Sequence, residues 1–476
     1  MIFLDRSKKE ALYLQLYYQL KEEILTGVRK EGDCLLGSRA AAKQLDISRH
    51  TVDTAYSQLA AEGYIAAEKG LGFFVQAVPV LPNSRSIYPL KEKNSLSFKN
   101  SKKVTVGQPN ILYDLTNSSH TSNLFPKKLW QKYTAQCLDR LYREEMISSL
   151  QDKQGELFLR ESLTDYLQRM RGVHCHPDQI ILTSGTQQSL DFLCKLLFKT
   201  NTPVLMEEPG YNKAVSVFNN NQRTTQTIPI DEQGVCVDNL PSVKADTLLY
   251  TTPSHQFPTG VTLTIGRRYE LLKWAYTHKS YIIEDDYDSE LRYYAKPIPA
   301  LQSIDQQDRV IYLGTFSKVL SPSLRMSYMI LPPQLTEAYQ KMFSDYNSTV
   351  PLLNQYIVAT LIEEGKYDQH VRRLNQVFKK RLEVFTHSFA DVQEKMTLSS
   401  NGSGQYFLLT FAEPVQQEEL ISAAANYGVK VYSTMNFWQE KASCPPNTLF
   451  LGFSKIELAD IPDCAQRLKK AWKNWL

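Results

Sequence analysis

The sequence predicts a small helix-turn-helix unit of α+β type, tethered to a larger α/β domain that ends in a smaller α+β part. Three observations predict it. From residue 180 to residue 330, short apolar runs alternate with stretches of helical spacing, as in a mostly parallel sheet covered on both faces. Residues 1–76 read differently, as three helices followed by two short strands around glycines. Between these, residues 77–112 lose their periodicity and fill with proline, serine and asparagine. With 476 residues, 42% of them hydrophobic, the chain can bury a core large enough for two or three domains.

In the first segment, Leu12, Leu16, Leu20 and Ile24 recur at helical spacing, and Gly27 closes that helix near Thr26. A second short helix is expected from Ser38 to Leu45. Ser48 then makes a natural N-cap for a third helix running to about Ala61, because its hydroxyl can accept an orphan N–H of the first turn. Val52, Ala55, Tyr56 and Leu59 form the inward stripe of that helix, and Arg49, His50 and Thr51 open its other face. Two helices joined by a short turn, the second opening on an exposed arginine and a hydroxyl, can lay side chains against base edges. The stretch Gly63 to Val75 adds a wing around Gly70 and Gly72, with Lys69 beside a phosphate. Residues 1–76 hold ten Lys and Arg against ten Asp and Glu, so contacts to nucleic acid depend on where the cations lie, not on a general basic field. A small helical adaptor that touches protein is the alternative.

Residues 77–112 form a basic flexible linker, in which Arg85, Lys91, Lys93, Lys99, Lys102 and Lys103 face only Glu92. The seven cysteines are scattered and odd in number, which fits a reducing compartment and not a disulfide framework. His174-Cys175-His176 has no second ligand pair at zinc-like spacing, so no metal is expected. No apolar run reaches membrane-spanning length and the first residues lack a signal-peptide core. A soluble, cytoplasmic chain is the expectation.

In residues 113–476, strands are expected at Ile180 to Leu182, Pro203 to Met206, Thr247 to Tyr250, Tyr281 to Ile283, Val310 to Leu313 and Arg325 to Ile330. The smaller part comes from about Pro351 onward plus the segment before about Ser184. Lys318 stands just past a strand, where open α/β sheets place their ligand crevices. Held among apolar neighbours and other cations, such an amine can attack an aldehyde, and a Schiff base with pyridoxal 5'-phosphate becomes possible. Thr315, Ser317 and Arg325 suit a phosphate. Asp285 can keep a pyridine nitrogen protonated, and the phenol of Tyr287 can hydrogen-bond a ring oxygen. Gly185, Thr186 and Gln187 open a helix whose unpaired N–H groups are a ready phosphate site. Tyr211 can lay an aromatic face on the ring. Singly, each also reads as ordinary structure: a surface lysine in a Ser-rich turn, an acidic strand end, a capped helix, a turn tyrosine.

The order of glycine turn, tyrosine, Pro253-Ser-His-Gln-Phe-Pro-Thr-Gly260, Glu284-Asp-Asp-Tyr287 and Ser317-Lys318 resembles the fold type I aminotransferases. The resemblance implies Lys318 as Schiff-base lysine, Asp285 and Tyr287 as partners of the ring nitrogen and ring oxygen, and Tyr211 as the stacking ring. It also implies a phosphate cup of Gly185, Thr186, Gln187, Thr315, Ser317 and Arg325. Ser48-Arg49-His50-Thr51-Val52, Glu62-Gly63 and Gly70-Leu-Gly-Phe-Phe-Val75 resemble the winged helix of GntR-type regulators, which implies DNA contacts from Arg39, Ser48, Arg49, His50, Thr51, Lys69 and Gly70. Leu36-Gly37-Ser38-Arg39 stands where that family usually has Pro-Ser-x-Arg. Together the two segments resemble the MocR/GabR subfamily. That resemblance implies a head-to-tail homodimer on a double-stranded promoter operator, and a small-molecule effector sensed through the cofactor.

Departures concern the ligand. Members that bind amino acids use two arginines on a carboxylate; here the places are filled by Lys213 and Asn436, and lysine is only a point charge. Leu150-Gln-Asp152-Lys-Gln-Gly155 replaces the family's Tyr-Gly-Asp-x-x-Gly. Phe257 stands where transaminases usually have an asparagine on the ring oxygen. The expectation is a regulator responding to a vitamin B6 form, an amino acid or a related amine, with at most a partial transaminase half-reaction. A competent aminotransferase with an appended winged helix is the alternative.

Overall fold

The computed structural model describes residues 2–7, 10–68, 71–78, 110–117, 122–197, 203–242, 247–294 and 298–476. It forms two compact units, Met1–Val106 and Gly107–Leu476. Most of the expected linker, with Lys69 and Gly70 of the wing, lies outside the described residues.

In the first unit the helices are Leu12–Leu25, Ser38–Leu45 and Arg49–Ala61. Ser48 caps the third, its Oγ accepting the Thr51 N–H at 3.1 Å. The heptad-like stripe works as expected: Leu16, Leu20, Val52, Ala55 and Leu59 are buried and pack into one core with Ile65 and Val75. Each fully buried leucine there contributes roughly 1.5–3 kcal/mol relative to exposure. Strands Ile65–Glu68 and Gly72–Val75 form the antiparallel wing. A third strand, Cys34–Leu35, pairs with Gly72–Val75 and was not expected, since two residues carry no period.

The second unit is built on an eight-stranded sheet. In spatial order its strands are Ile180–Thr183, Ser327–Ile330, Val310–Thr315, Tyr281–Asp286, Leu248–Thr251, Val204–Glu208, Thr225–Asp231 and Gly234–Val235. Among these described strands, Ser327–Ile330 and Gly234–Val235 run against the others. The central strands are buried along their whole length, which is why they read as unbroken apolar runs. Alternate residues serve opposite faces. Val204 and Met206 pack with Leu190, Leu193 and Phe218, while Leu205 packs with Leu271 and Leu272. Thr225–Asp231 was missed because Pro229 interrupts its strand signal. The strand expected from Arg325 begins at Ser327; Arg325 has φ 52 and ψ 54, a left-handed turn that an extended chain cannot include.

The smaller part is a four-stranded antiparallel sheet, Met396–Ser399, Tyr406–Phe411, Thr448–Gly452 and Tyr432–Ser433. Helices Leu352–Glu363, Lys366–Ser388, Gln417–Asn426 and Ile461–Ala471 belong with it, and Trp472 at the end of the last is fully buried. Tyr113–Asp114 pairs with Val429–Lys430, and Gly452 N–H donates to Leu115 O at 2.8 Å. These bonds hold the chain up to Asn117 against the smaller part. Among the described residues, no helix is long and apolar enough to cross a membrane.

Candidate functional site

Parallel strands put their carboxyl ends on one edge of the sheet, and the expected residues follow those ends in the chain. Gly185 follows Ile180–Thr183, Tyr211 follows Val204–Glu208, Asp285 and Tyr287 end Tyr281–Asp286, and Lys318 follows Val310–Thr315. Arg325 precedes the reversed strand Ser327–Ile330, so it stands at the same edge. All ten, with Thr186, Gln187, Thr315 and Ser317 among them, line one cavity of about 660 Å³, and Lys213 and Asn436 line it too.

Lys318 Nζ donates to the backbone O of Asn117 at 3.1 Å and to its Oδ1 at 3.3 Å. Burial pushes the Lys318 pKa down to about 8; Asp288 opposes this and Lys213 adds to it. Near neutral pH a useful fraction is therefore the free amine, the form able to attack a carbonyl.

Three consecutive carboxylates, Glu284, Asp285 and Asp286, divide by the strand's period of two. Glu284 accepts N–H groups of Leu301 and Gln302 at 2.7 and 2.8 Å, and Asp286 takes the Arg171 guanidinium at 2.8 and 3.1 Å. Asp285 points the other way, into the cavity. Tyr250 donates to its Oδ2 at 2.5 Å, while Oδ1 is buried and has no hydrogen-bond partner among the described residues. Burial pushes the Asp285 pKa up to about 7, against the Tyr250 hydrogen bond that lowers it. A buried carboxylate oxygen without a donor is costly, and a protonated ring nitrogen is the kind of group that satisfies it.

Gly185 has φ +145, and a Cβ built there would lie 2.4 Å from Arg325 Nη2, so the guanidinium rests against bare backbone. The helix Thr186–Leu197 starts at this point, and Thr186 and Gln187, whose N–H groups have no acceptor within the helix, line the cavity. Thr315 Oγ1 accepts from Ser327 Oγ at 2.8 Å and from the Ser317 N–H at 3.2 Å. Backbone donors, hydroxyls and one guanidinium converge here, a donor set that fits a phosphate.

The opposite wall is aromatic. Phe257 sits edge-on to Tyr211 at 6.0 Å and Tyr287 at 6.1 Å, and packs on Phe437 at 4.9 Å. Lys213 is exposed at the mouth, and Asn436 accepts a hydrogen bond from the Asn212 side chain through its backbone carbonyl. Asn117 and Tyr250, which sequence reasoning did not single out, are in direct contact with the two key polar groups. Neither carries a local motif.

In the first unit, Arg39, Ser48, Arg49 and His50 are exposed and Thr51 is half-buried. The Ser48 hydroxyl is engaged in the cap and also meets Thr51 Oγ1 at 2.8 Å, and Arg49 pairs loosely with Asp53 at 3.4 Å.

The larger unit is an aminotransferase fold: residues 121–440 match the family of aminotransferases of class I and II, and residues 12–75 match the bacterial regulatory proteins of the gntR family. The solved structure of LysN, the α-aminoadipate aminotransferase of Thermus thermophilus complexed with N-(5'-phosphopyridoxyl)-L-leucine, superposes with a TM-score of 0.65 at 27% identity, over 77% of this chain and 93% of that one. Over 99% of its length the chain is 36% identical to the HTH-type transcriptional regulator YdeL of Bacillus subtilis, covering 99% of that protein. It is 31% identical to the probable rhizopine catabolism regulatory protein MocR of Rhizobium meliloti, over 99% of this chain and 96% of that protein. The chain belongs to the MocR-type transcriptional regulators, in which a GntR DNA-binding domain is joined to an aminotransferase-like domain.

Proposed function

We propose that this protein is a cytoplasmic transcription regulator that binds pyridoxal 5'-phosphate at Lys318 and senses a small-molecule effector, a vitamin B6 form, amino acid or related amine, through that site. Its parts are a winged helix at 1–76, a basic linker at 77–112 and an effector domain at 113–476. It acts as a homodimer, head to tail, on a promoter operator. The observation that carries the reading is the pairing, across one cavity, of a lysine amine with lowered pKa and a buried carboxylate oxygen that lacks a donor.

Lys318 would hold the aldehyde carbon, Asp285 Oδ1 would accept a hydrogen bond from the protonated ring nitrogen, Tyr287 would donate to the ring oxygen, and Tyr211 would cover one ring face. Gly185, Thr186, Gln187, Thr315, Ser317 and Arg325 take the phosphate. When bound, the group supplies an aldehyde that captures amines and a ring that draws electrons. Lys213 and Asn436 contact the effector, and Arg39, Ser48, Arg49, His50, Thr51, Lys69 and Gly70 contact DNA. Because the site keeps a lysine, an acid and a phenol but, among the described residues that line it, has no arginine besides Arg325, at most one half-reaction per site is expected.

Purified protein is expected to be yellow and Lys318→Ala colourless; equal colour in the two ends the cofactor reading. Arg49→Ala, at matched folding, is expected to lose the operator footprint; an unchanged footprint ends the DNA reading.

A further inference from the structure

Beside Tyr287 lies a buried polar cluster, His255, Asp288 and Tyr406, whose members do not line the cavity and which no role above uses. His255 Nδ1 is 2.9 and 3.1 Å from the two carboxylate oxygens of Asp288, and both residues are at most 4% exposed. The same Nδ1 is 3.1 Å from the Tyr287 hydroxyl, which is also 3.1 Å from the hydroxyl of buried Tyr406. The imidazole lies nearly parallel to both rings, at 6.0 and 5.4 Å. The packing leaves no slack: a Cβ at Gly404 would fall 2.5 Å from His255 Cε1 and 2.8 Å from Asp288 Oδ2, and one at Gly260 would fall 3.2 Å from His255 Nε2. Both glycines have positive φ, so the chain is shaped to admit this ring.

The hydrogens can be assigned from what each atom is able to do. A buried carboxylate only accepts, so His255 Nδ1 carries a hydrogen and cannot accept from Tyr287. It has one hydrogen to give, held first by Asp288 at 2.9 Å, so towards the phenol oxygen at 3.1 Å it can only be a donor sharing that hydrogen. Tyr406 is the second neighbour of that oxygen; its other acceptor, the backbone O of Gln256, is farther away at 3.5 Å. When Tyr406 turns its hydroxyl to Tyr287 at 3.1 Å and not to the more distant Gln256 O, the Tyr287 oxygen accepts from Tyr406 and from the shared His255 hydrogen. Its own hydrogen is left to point into the cavity.

We propose that His255, fixed by Asp288, and Tyr406 are positioning residues that commit Tyr287 to act as a hydrogen-bond donor towards an anionic ring oxygen in the cavity. They take over the work of the amide that transaminases place where this chain has Phe257. This rests on the cofactor reading above and assigns the donor's direction within it. The groups facing Tyr287 are His255, Tyr406 and Asp288 beside it, Asp285 from its own strand and Lys318 across the cavity. Phe257, edge-on to its ring, brings no charge.

A donor on the ring oxygen stabilises its oxyanion, so the proton shared between that oxygen and the Lys318 nitrogen leaves at lower pH. The test is the pH titration of the visible band of the full-length protein loaded with pyridoxal 5'-phosphate. His255→Leu is expected to raise the midpoint by about one pH unit, since a hydrogen bond to a charged group is lost or weakened. His255→Asn, whose side-chain amide nitrogen occupies the place of Nδ1, is expected to restore it. Tyr406→Phe, which deletes one hydroxyl and leaves no buried charge unpaired, is expected to raise it as well, and it decides the matter if His255→Leu does not fold. A Lys318-dependent band whose midpoint is unmoved by Tyr406→Phe and by any folded His255→Leu overturns the relay and leaves the cofactor reading standing. So does a shift in His255→Asn as large as in His255→Leu. Absence of any Lys318-dependent band overturns both.

Discussion

The close approach of Gly185 to Arg325 offers a test of the phosphate cup with two separable readouts. A methyl added by Gly185→Ala would sit 2.4 Å from Nη2 and 3.2 Å from Cζ of Arg325, far inside contact distance, at a backbone φ of +145 that L-residues rarely adopt. The strain is present with or without ligand and should lower stability by about 1–3 kcal/mol, seen as a lower thermal midpoint. The clash is with the far end of a flexible side chain, so the guanidinium yields and leaves the cup. Losing a charge-assisted bond of about 1.5–3 kcal/mol weakens pyridoxal 5'-phosphate affinity by roughly 10- to 100-fold. Arg325→Ala alone should cost a similar factor, measured by absorbance titration of apo protein. In the double variant the two affinity losses should not add, because the alanine at 185 then has no guanidinium to displace. Fully additive losses would show that the methyl does not act through Arg325, and an unchanged affinity in Arg325→Ala would show that Arg325 does not complete the cup.

Three further outcomes follow from the geometry. The rate of pyridoxal 5'-phosphate capture by apo protein should rise with pH up to the Lys318 pKa of about 8 and level off above it, because only the neutral amine attacks; a flat profile refutes this. Lys213→Met removes a cation that pushes that pKa down, so stopped-flow capture should show the midpoint move to higher pH; no movement means the two amines do not sense each other. Ser48→Ala should cost the first unit about 1 kcal/mol in denaturant unfolding through loss of the cap, yet leave the salt slope of DNA binding unchanged, whereas Arg49→Ala lowers that slope by about one. A slope change in Ser48→Ala would assign its hydroxyl to a phosphate instead.

Elements whose pattern is set by their own residues were legible, and those set by a neighbour were not. Leu12–Leu25 announces itself through leucines at helical spacing, Arg49–Ala61 through an apolar stripe and a capping serine, and the buried strand Val310–Thr315 through an unbroken apolar run. Cys34–Leu35 exists because Gly72–Val75 offers it a free edge, and Val429–Lys430 because Tyr113–Asp114, more than 300 residues earlier, lies alongside it. Two-residue strands of this kind have no period to detect. Thr225–Asp231 has one, but Pro229 contradicts it locally, and the ladder to Val204–Glu208 overrides that objection.

The site divides along a similar line, with a chemical cause. Lys318, Asp285, Tyr287 and Arg325 line the cavity, and each sits at or just beyond a strand end that the sequence marks. Residues that hold those groups in place are chosen by packing across the fold. Tyr250 reaches Asp285 from the neighbouring strand, since Ile283 and Tyr250 are in register. Asn117 reaches Lys318 from 201 positions away, by virtue of backbone bonds from Leu115 to Lys430 and Gly452. Either contact could be made by another residue type with a suitable donor or acceptor, so the amino acid alone does not betray the role. The carboxylate triplet shows the converse. Glu284 and Asp286 are chemically as able as Asp285, and only the strand's alternation, with Arg171 and the Leu301 and Gln302 amides occupying the other face, leaves Asp285 as the acid of the three that lines the cavity.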